Sequence, residues 1–168
     1  MTTQLSIEQQ ISGVPAARAW TALLRAHAAL TARFSALLQS DHRLTINAYE
    51  ALLRLSRAED ERMKRVDLAR SLMLTPSGVT RMLDGLQDAG LVEPDTCDTD
   101  RRIVYACLTR SGREKLEAAT EAHVAAIREV FGSVLSDREV ERLADLLDRL
   151  PGAAEQRLAC EPEAEAGA

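Results

Sequence analysis

The chain has 168 residues, a length typical of a single domain, and carries a net charge of −5 at pH 7. Apolar residues make up 46% of it and aromatic residues only 3%, so the apolar content is mainly alanine and leucine and favours helices over sheets. The acidic balance excludes a generally adhesive nucleic-acid binder, and the lack of a run of about 18 apolar residues excludes a membrane span.

The first half of the chain predicts three helices and a short strand. Apolar residues recur at helical spacing from Ala16 to Gln39, just after Pro15, which predicts a helix on the order of 35 Å long. A second helix is predicted over Ile46 to Ser56. The charged segment from Arg57 to Lys64 predicts a loop that leads into a very short strand. A short third helix, the support helix, follows over Arg65 to Leu74.

A second short helix, which we call the recognition helix, is predicted after a tight turn. Thr75 suits its N-cap and Pro76 suits its first helical position. Gly90 fits the left-handed position just past its end. Four apolar residues fall on one face of this helix: Val79, Met82, Leu83 and Leu86.

The periodicity then changes from helical to alternating. Leu91 and Val92 open an extended segment, and Thr96 to Asp100 is rich in turn residues. From Arg102 to Leu108 the residues alternate, with Val104, Ala106 and Leu108 on one face. Two short extended runs around a polar turn predict a β-hairpin.

Two long helices are predicted to complete the chain. They run from Thr109 to Phe131 and from Asp137 to Leu150, the second capped by Ser136 with Glu139 three residues further on. Pro151 is expected to stop that helix. The remaining tail, rich in alanine and glutamate, is expected to be disordered.

Two short helices joined by a tight turn and followed by a hairpin make a winged helix-turn-helix. The recognition helix presents small and polar groups off its apolar face, where they suit a major groove about 12 Å wide. The tip of the hairpin carries two guanidinium groups that suit the negative potential of a minor groove. We therefore expect six residues to contact DNA: Ser77, Gly78, Thr80, Arg81, Arg101 and Arg102.

Basic and acidic residues are about equal in number from Arg62 to Arg102. DNA binding therefore requires the basic residues to gather on one side, and we expect Asp84, Asp88 and Glu93 to face elsewhere. A dimer that neutralises ~6 phosphates would still have a steep salt dependence, near −0.9 per contact.

The stretch from Leu44 to Lys115 resembles the MarR family of bacterial regulators. The matching pieces, in chain order, are Leu44-Thr45, Val66-Asp67-Leu68-Ala69, Ser77-Gly78-Val79-Thr80-Arg81, Leu86…Gly90-Leu91-Val92, Asp98…Asp100-Arg101-Arg102 and Leu108-Thr109…Gly112-Arg113. The last piece, a strand that runs into Leu-Thr-x-x-Gly at a helix start, is the most specific. Pro94 departs from the family, since a basic residue often stands there, and it removes a backbone donor from the first wing strand.

The resemblance implies a mainly α-helical fold with a small β-hairpin wing and with N- and C-terminal dimerisation helices. Residues 1–40 would form the N-terminal dimerisation helix, 41–110 the winged DNA-binding lobe and 111–150 the C-terminal dimerisation helices, with a tail over 151–168 and one compact domain overall. The implied function is a sequence-specific regulator of transcription that binds double-stranded DNA as a homodimer. A ligand-responsive repressor on a palindromic operator fits the family best.

The resemblance also implies control by a small aromatic acid that binds a crevice near the dimer helices. Trp20, Arg25 and His27 are the candidate effector-binding residues. For Trp20 the dimer core is the alternative environment, and it is the one that we favour slightly.

Two other functions stay open. A winged helix can serve as a protein-interaction scaffold without DNA binding, which suits the overall acidity. A thiol-based, redox-responsive regulator is the other, with Cys97 in the exposed wing as its candidate sensor. A turn centred on Thr99-Asp100 would pair Cys107 with a residue near Val92, so no disulfide between the two cysteines is expected.

Other classes lack support in the sequence. No G-x-S-x-G, G-x-G-x-x-G, Walker or H-E-x-x-H motif occurs, so an enzyme is not expected. His27, His42 and His123 lack metal-ligand spacing, so neither a metal nor a cofactor is expected. Three cysteines and no evident signal peptide predict reduced thiols and a cytoplasmic location.

Overall fold

The computed structural model describes residues 14–96 and 104–159 of the chain. The elements in these ranges are α1 Pro15–His42, α2 Ile46–Arg57, β1 Arg62–Lys64, α3 Arg65–Ser71, α4 Pro76–Asp88, β2 Val92–Thr96, β3 Val104–Leu108, α5 Arg110–Gly132 and α6 Asp137–Ala159. A 3-10 turn, Glu59–Glu61, precedes β1. The mainly helical fold with a small antiparallel sheet confirms the prediction. None of the helices in these ranges is long and apolar enough to cross a bilayer.

The chain divides into two compact units, Met1–His123 and Val124–Ala168. The first unit contains α1 to α4, the sheet and the N-terminal part of α5. The second contains the rest of α5 and α6. The winged helix-turn-helix therefore lies in the first unit.

Buried leucines from four helices form the core of the first unit. Leu52 and Leu55 of α2 are fully buried, as are Leu38 of α1, Leu68 of α3 and Leu83 of α4. Removing each such side chain from water contributes about 1.5–3 kcal/mol. Because α2 supplies five buried residues out of 12, the other elements pack around it.

Helices α3 and α4 form the predicted helix-turn-helix. The apolar face of α4 is buried as expected, with Val79, Leu83 and Leu86 in the core. Helix α3 ends at Ser71, earlier than the predicted Leu74, because Met73 adopts a left-handed backbone conformation with a φ of 52°.

The predicted hairpin forms two strands of a three-stranded sheet. The order of the strands is β1-β3-β2, so β2 is an edge strand. All five residues of β2 pair with β3, and Pro94 lies opposite Ala106. Proline does not disturb the pairing here because an edge strand tolerates the loss of a donor. On β3, Ala106 and Leu108 are buried, which confirms the predicted inward face.

The register of the hairpin agrees with a turn near Asp100. Cys107 lies opposite Glu93, next to the predicted Val92. The tip of the wing, residues 97–103, lies outside the described residues. The predicted DNA contacts of Arg101 and Arg102, and the candidate sensor Cys97, therefore lie there too.

Helix α6, in the second unit, begins as predicted but ends later. Glu139 Oε2 accepts hydrogen bonds from the backbone amide of Ser136 at 2.9 Å and from its hydroxyl at 2.7 Å, and both bonds lower the pKa of the Glu139 carboxyl. The expectation that Pro151 stops the helix was wrong, because the helix continues to Ala159. The fixed φ of proline is compatible with helical geometry, at the cost of one backbone hydrogen bond. Of the predicted tail, residues 160–168 lie outside the described residues.

Candidate nucleic-acid interface

The N-terminus of α4 is a capped, exposed helix end. Thr75 Oγ1 accepts a hydrogen bond from the Gly78 amide at 3.2 Å, which confirms the predicted N-cap, and it also lies 3.2 Å from the Ser77 hydroxyl. Pro76 occupies the first helical position. A Cβ on residue 78 would lie 3.1 Å from Thr75 Oγ1, so glycine relieves crowding at the cap.

Ser77, Thr80 and Arg81 share the exposed face of α4. All three are exposed, and their spacing of three and four residues puts them on one side of the helix. Within residues 14–96 and 104–159, no hydrogen bond or ion pair engages the Arg81 guanidinium. The structure thus brings together four of the six residues expected to contact DNA, including the half-buried Gly78. Their contact with DNA stays a prediction.

Two acidic side chains share this face. Asp84 and Asp88 are exposed and follow Thr80 and Arg81 at three- to eight-residue spacing, which keeps them on the same side of the helix. The expectation that Asp84 and Asp88 face elsewhere was wrong, because the buried apolar stripe takes the opposite side of α4. Along the helix axis, Asp84 lies about 4.5 Å and Asp88 about 10.5 Å beyond Arg81, since each residue adds a rise of about 1.5 Å. Positive charge on this face is therefore confined to the first half of the helix.

Two further arginines flank the start of α4. A surface depression of about 440 Å³ between α3 and α4 is lined by Arg65, Arg70, Pro76 and Thr80, among others. Arg70 is 82% exposed and pairs with Asp67 at 3.2 Å. Because exposed ion pairs of this kind are weak, the Arg70 guanidinium is easily available to another anion. Neither arginine was among the residues expected to contact DNA, although both lie in the support helix.

The C-terminus of α4 is tied to the start of α5. The Thr109 hydroxyl donates a hydrogen bond to the Gly90 carbonyl at 2.8 Å and accepts one from the Gly112 amide at 3.0 Å. The Thr109 amide donates to the Leu91 carbonyl at 3.1 Å. A Cβ on Gly112 would overlap that carbonyl oxygen and lie 2.8 Å from Leu108 Cδ1, so no side chain fits. We call Gly90, Leu91, Thr109 and Gly112 the α4–α5 joint.

The joint gives a physical reason for the Leu-Thr-x-x-Gly piece that the sequence shares with the family. The threonine caps α5 and bonds back to the end of α4, and the glycine lets the two backbones approach. Gly90 has a φ of 69°, the left-handed conformation predicted for the residue beyond the helix.

The base of the wing is held by two arginines. Arg113 of α5 forms an ion pair with Glu61, whose φ of 54° is an unfavourable conformation for a residue other than glycine. Arg62 of β1 pairs with Asp95 of β2 at 3.1 Å, and its guanidinium carbon lies 5.1 Å from the centre of the Tyr105 ring. These contacts connect all three strands to each other and to α5.

The candidate effector residues lie on α1 and are exposed. Trp20 is 60% exposed, which leaves most of its ring surface uncovered within the single chain. Trp20 and His27, seven residues apart, share one face of the helix, whereas Arg25 projects from a different side. The structure therefore does not bring the three together on one chain, and their role in effector binding stays a prediction.

A histidine in the first unit lies between two aromatic rings. His123 of α5 contacts Phe34 of α1 and Tyr49 of α2 edge-on, with both centroid distances at 5.0 Å. The Tyr49 hydroxyl lies 3.2 Å from the Thr120 hydroxyl. His123 Nδ1 is buried and has no hydrogen-bond partner within the described ranges. Burial lowers the pKa of His123, and the nearby Glu50 opposes that shift.

Neither a reactive thiol nor a metal centre is evident in the described ranges. Burial raises the pKa of the Cys107 thiol, with a further rise from Asp95 that Arg62 partly offsets, so little thiolate forms at neutral pH. No group of three His, Cys, Asp or Glu side chains in residues 14–96 and 104–159 is arranged to hold a metal ion. Cys97 and Cys160 lie outside those ranges.

Comparison with known proteins agrees with this geometry. Residues 44–104 match the model of the MarR family. The chain is 31% identical to AbsC, a MarR family transcriptional regulator from Streptomyces coelicolor, whose crystal structure has a TM-score of 0.72 over 93% of this chain and 99% of AbsC. Sco3205 from the same organism, a MarR family regulator solved in complex with DNA, has a TM-score of 0.74 over 91% of each chain, but its 23% identity supports the fold alone.

A second relative is also named as a regulator of transcription. The HTH-type transcriptional repressor YetL of Bacillus subtilis is 30% identical over 110 residues, which span 64% of this chain and 66% of YetL. Three findings agree: the winged helix-turn-helix, the family match over residues 44–104 and the 31% identity to AbsC over 93% of this chain. This chain belongs to the MarR family and is a DNA-binding regulator of transcription.

Proposed function

We propose that this chain is a repressor that binds a palindromic DNA operator as a homodimer. The observation that carries the proposal is the capped first half of α4, where Ser77, Thr80 and Arg81 are exposed and Arg81 has no partner in the described ranges. A helix end of this kind fits the major groove, where a guanidinium can bind guanine or a phosphate. The relative YetL is named a repressor, which supports repression over activation.

Further cations would secure the helix on the duplex. Arg65 and Arg70, beside the start of α4, would bind phosphates along one edge of the major groove. Arg101 and Arg102 at the tip of the wing would enter the adjacent minor groove. In this assignment residues 41–110 form the DNA-binding lobe.

Exposed apolar residues support the homodimer. Residues 1–40 and 111–150 would hold the dimerisation helices, and each of the two compact units carries exposed apolar side chains there. They are Val14, Trp20 and Leu24 in the first unit and Val134, Leu146, Leu147 and Leu150 in the second. Exposed large apolar side chains on the helices assigned to dimerisation suit an interaction surface. In this assignment Trp20 packs against the second subunit.

Light scattering tests the dimer. Leu147→Arg places a charge among the exposed apolar residues of α6 and should convert the dimer into monomers that bind the operator weakly. Glu141→Arg introduces an arginine on the polar side of the same helix and should leave the dimer intact. A monomeric parent protein, or an unchanged molar mass for Leu147→Arg, would contradict this assignment.

Selection of binding sites from random duplex DNA, followed by footprinting, tests the operator. Two recognition helices related by a two-fold axis should select two inverted half-sites about one helical turn apart. A footprint over a single asymmetric half-site would contradict the proposal. Failure to select any sequence would instead favour the protein-interaction scaffold, which the acidic Asp84 and Asp88 on the exposed face of α4 would suit.

The effector is proposed to be a small aromatic acid, on the strength of the family resemblance. Such a ligand must bind the DNA-competent and the incompetent states with different affinity, and a tenfold effect on DNA binding needs only ~1.4 kcal/mol of coupling. Salicylate titrated against the fluorescence of Trp20 and against operator affinity tests both the ligand and its place. If Trp20→Phe responds like the parent protein, the effector binds away from Trp20.

A further inference from the structure

The hydroxyl of Thr80 is already engaged within the helix. Thr80 is exposed on α4, and its Oγ1 donates a hydrogen bond to the Pro76 carbonyl at 2.9 Å. A threonine hydroxyl has a single proton to donate. A bond to the carbonyl four residues earlier also selects one rotamer of this β-branched side chain. What Thr80 offers to a ligand is therefore a methyl group in a fixed position and the two lone pairs of an oxygen.

The neighbouring side chains offer different chemistry. Arg81 carries only donors, and the Ser77 hydroxyl lies 3.2 Å from Thr75 Oγ1 at the cap. Of Ser77, Thr80 and Arg81, which share the exposed face of α4, only Thr80 carries a methyl group. In the major groove the C5 methyl of thymine is the apolar group that distinguishes it from the other bases, and a threonine methyl is a suitable partner for it.

We infer that Thr80 recognises a thymine by methyl–methyl contact in the major groove and donates no hydrogen bond to a base. The inference rests on the proposed function, because it requires α4 to enter the groove. It adds a specificity-determining residue and the kind of base that this residue selects. Each half-site of the operator should then contain one thymine whose methyl group lies against Thr80.

Replacement of thymine by uracil tests the contact, because uracil lacks only the methyl group. Each thymine of one half-site of the selected operator is replaced in turn, and the affinity of the parent protein is measured. At one position the replacement should weaken binding about four-fold, the equivalent of leaving one methyl group unburied. If no thymine in that half-site shows this sensitivity, the inference is overturned, while the selected operator itself shows that DNA binding stands.

Two substitutions separate the methyl group from the hydroxyl. Thr80→Val keeps a methyl group and should keep the four-fold discrimination between thymine and uracil. Thr80→Ser keeps the hydrogen bond to Pro76 but lacks the methyl group, and its discrimination should fall to about one-fold. Discrimination that survives in Thr80→Ser, or disappears in Thr80→Val, would overturn the inference, because the methyl group of Thr80 would then not be what distinguishes thymine from uracil.

Thr21 on α1 provides a matched control. It is exposed, and its hydroxyl donates to the Ala17 carbonyl four residues earlier, also at 2.9 Å. Thr21→Ser and Thr21→Val therefore change the same groups in the same local geometry on another helix. Neither should alter the ratio of affinities for the thymine and uracil operators, and a change in that ratio would show that the effect at Thr80 is indirect.

Discussion

The two ends of α4 differ in what holds them. At its C-terminal end, the Thr109 hydroxyl bonds to Gly90, and Gly112 lets α5 approach so closely that no Cβ fits. At its N-terminal end the backbone is capped, but Thr80 and Arg81 project into solvent. Contacts within the protein fix the C-terminal end of α4, whereas the exposed side chains at its N-terminal end are available to bind DNA.

This difference separates stability from recognition along a single helix of 13 residues. Substitutions at the α4–α5 joint should lower the free energy of unfolding, because they disturb backbone contacts that the fold requires. Substitutions on the exposed first half should alter DNA binding and leave the free energy of unfolding nearly unchanged, since surface changes are usually worth less than about 0.5 kcal/mol.

Gly112→Ala should have the largest effect on stability. Its Cβ would overlap the Leu91 carbonyl oxygen, so that the two backbones must separate, and we expect a loss of about 3 kcal/mol in the free energy of unfolding. Gly85→Ala is the control, because a Cβ at that helical position has open space around it and should stabilise by about 0.5–1 kcal/mol. Denaturant unfolding at one protein concentration compares them. Equal effects of the two substitutions would refute the close approach at the joint.

Thr109→Val should destabilise the joint less than Gly112→Ala does. Valine keeps the shape of threonine but cannot bond to the Gly90 carbonyl or the Gly112 amide, and loss of such a cap costs about 1 kcal/mol. Thr109→Ser retains the hydroxyl and should recover most of the loss. If serine is as destabilising as valine, the shape of the side chain matters at this position and the hydrogen bonds do not.

Met73→Gly should stabilise the turn between α3 and α4. Met73 has a φ of 52° and is 93% exposed, so glycine loses no packing and removes an unfavourable backbone conformation. We expect a gain of about 0.5–1 kcal/mol after the greater flexibility of the unfolded chain is allowed for. Met73→Ala controls for loss of the side chain and should be nearly neutral. A destabilised glycine variant would show that the left-handed conformation is not adopted.

His123 should make stability depend on pH in the acidic range only. Burial lowers its pKa in the folded state, so the unfolded chain takes up the proton first as the pH falls below the ordinary histidine value of 6.5. The contribution is complete above pH 6.5 and decreases as the pH falls through the folded pKa. For one proton the slope is at most about 1.4 kcal/mol per pH unit.

His123→Phe keeps an aromatic ring between Phe34 and Tyr49 but does not titrate. Unfolding of both proteins is followed from about pH 7.5 to about pH 5, and the parent should lose stability faster over the acidic part of that range. Parallel curves would show that the histidine takes up a proton equally in both states.

The fold could be predicted from periodicity and from the residues at helix ends. The limits of α4 could be predicted from local signals alone. These are the N-cap Thr75, Pro76 at the first helical position and the left-handed Gly90 beyond the end. Gly112 could be singled out by resemblance, but the reason for it lies in the approach of α5 to Leu91, 21 residues away in sequence, which no local pattern reveals. Pro151 shows the opposite case, since a local stop signal was outweighed by helix-forming residues on both sides.

The site could be predicted in part. Helical spacing predicts which side chains at the start of α4 share its exposed face. The same spacing also places Asp84 and Asp88 on that face, against our expectation. Arg65 and Arg70 belong to a different helix, and only the packing of α3 against α4 brings them beside Thr80. The environment of His123 depends on α1 and α2, far away in the sequence.

Arg81→Ala tests whether α4 is the helix that reads DNA. Its affinity for the selected operator is measured over a range of salt concentrations, and its free energy of unfolding is measured beside it. Operator binding should weaken by about 1–3 kcal/mol for each of the two Arg81 contacts of the dimer. Stability should stay within about 0.5 kcal/mol of the parent protein. If Arg81 binds a phosphate, the slope of log affinity against log salt should also flatten by about two units, about one for each subunit of the dimer. Operator affinity equal to that of the parent at every salt concentration would contradict the assignment of α4 as the DNA-reading helix.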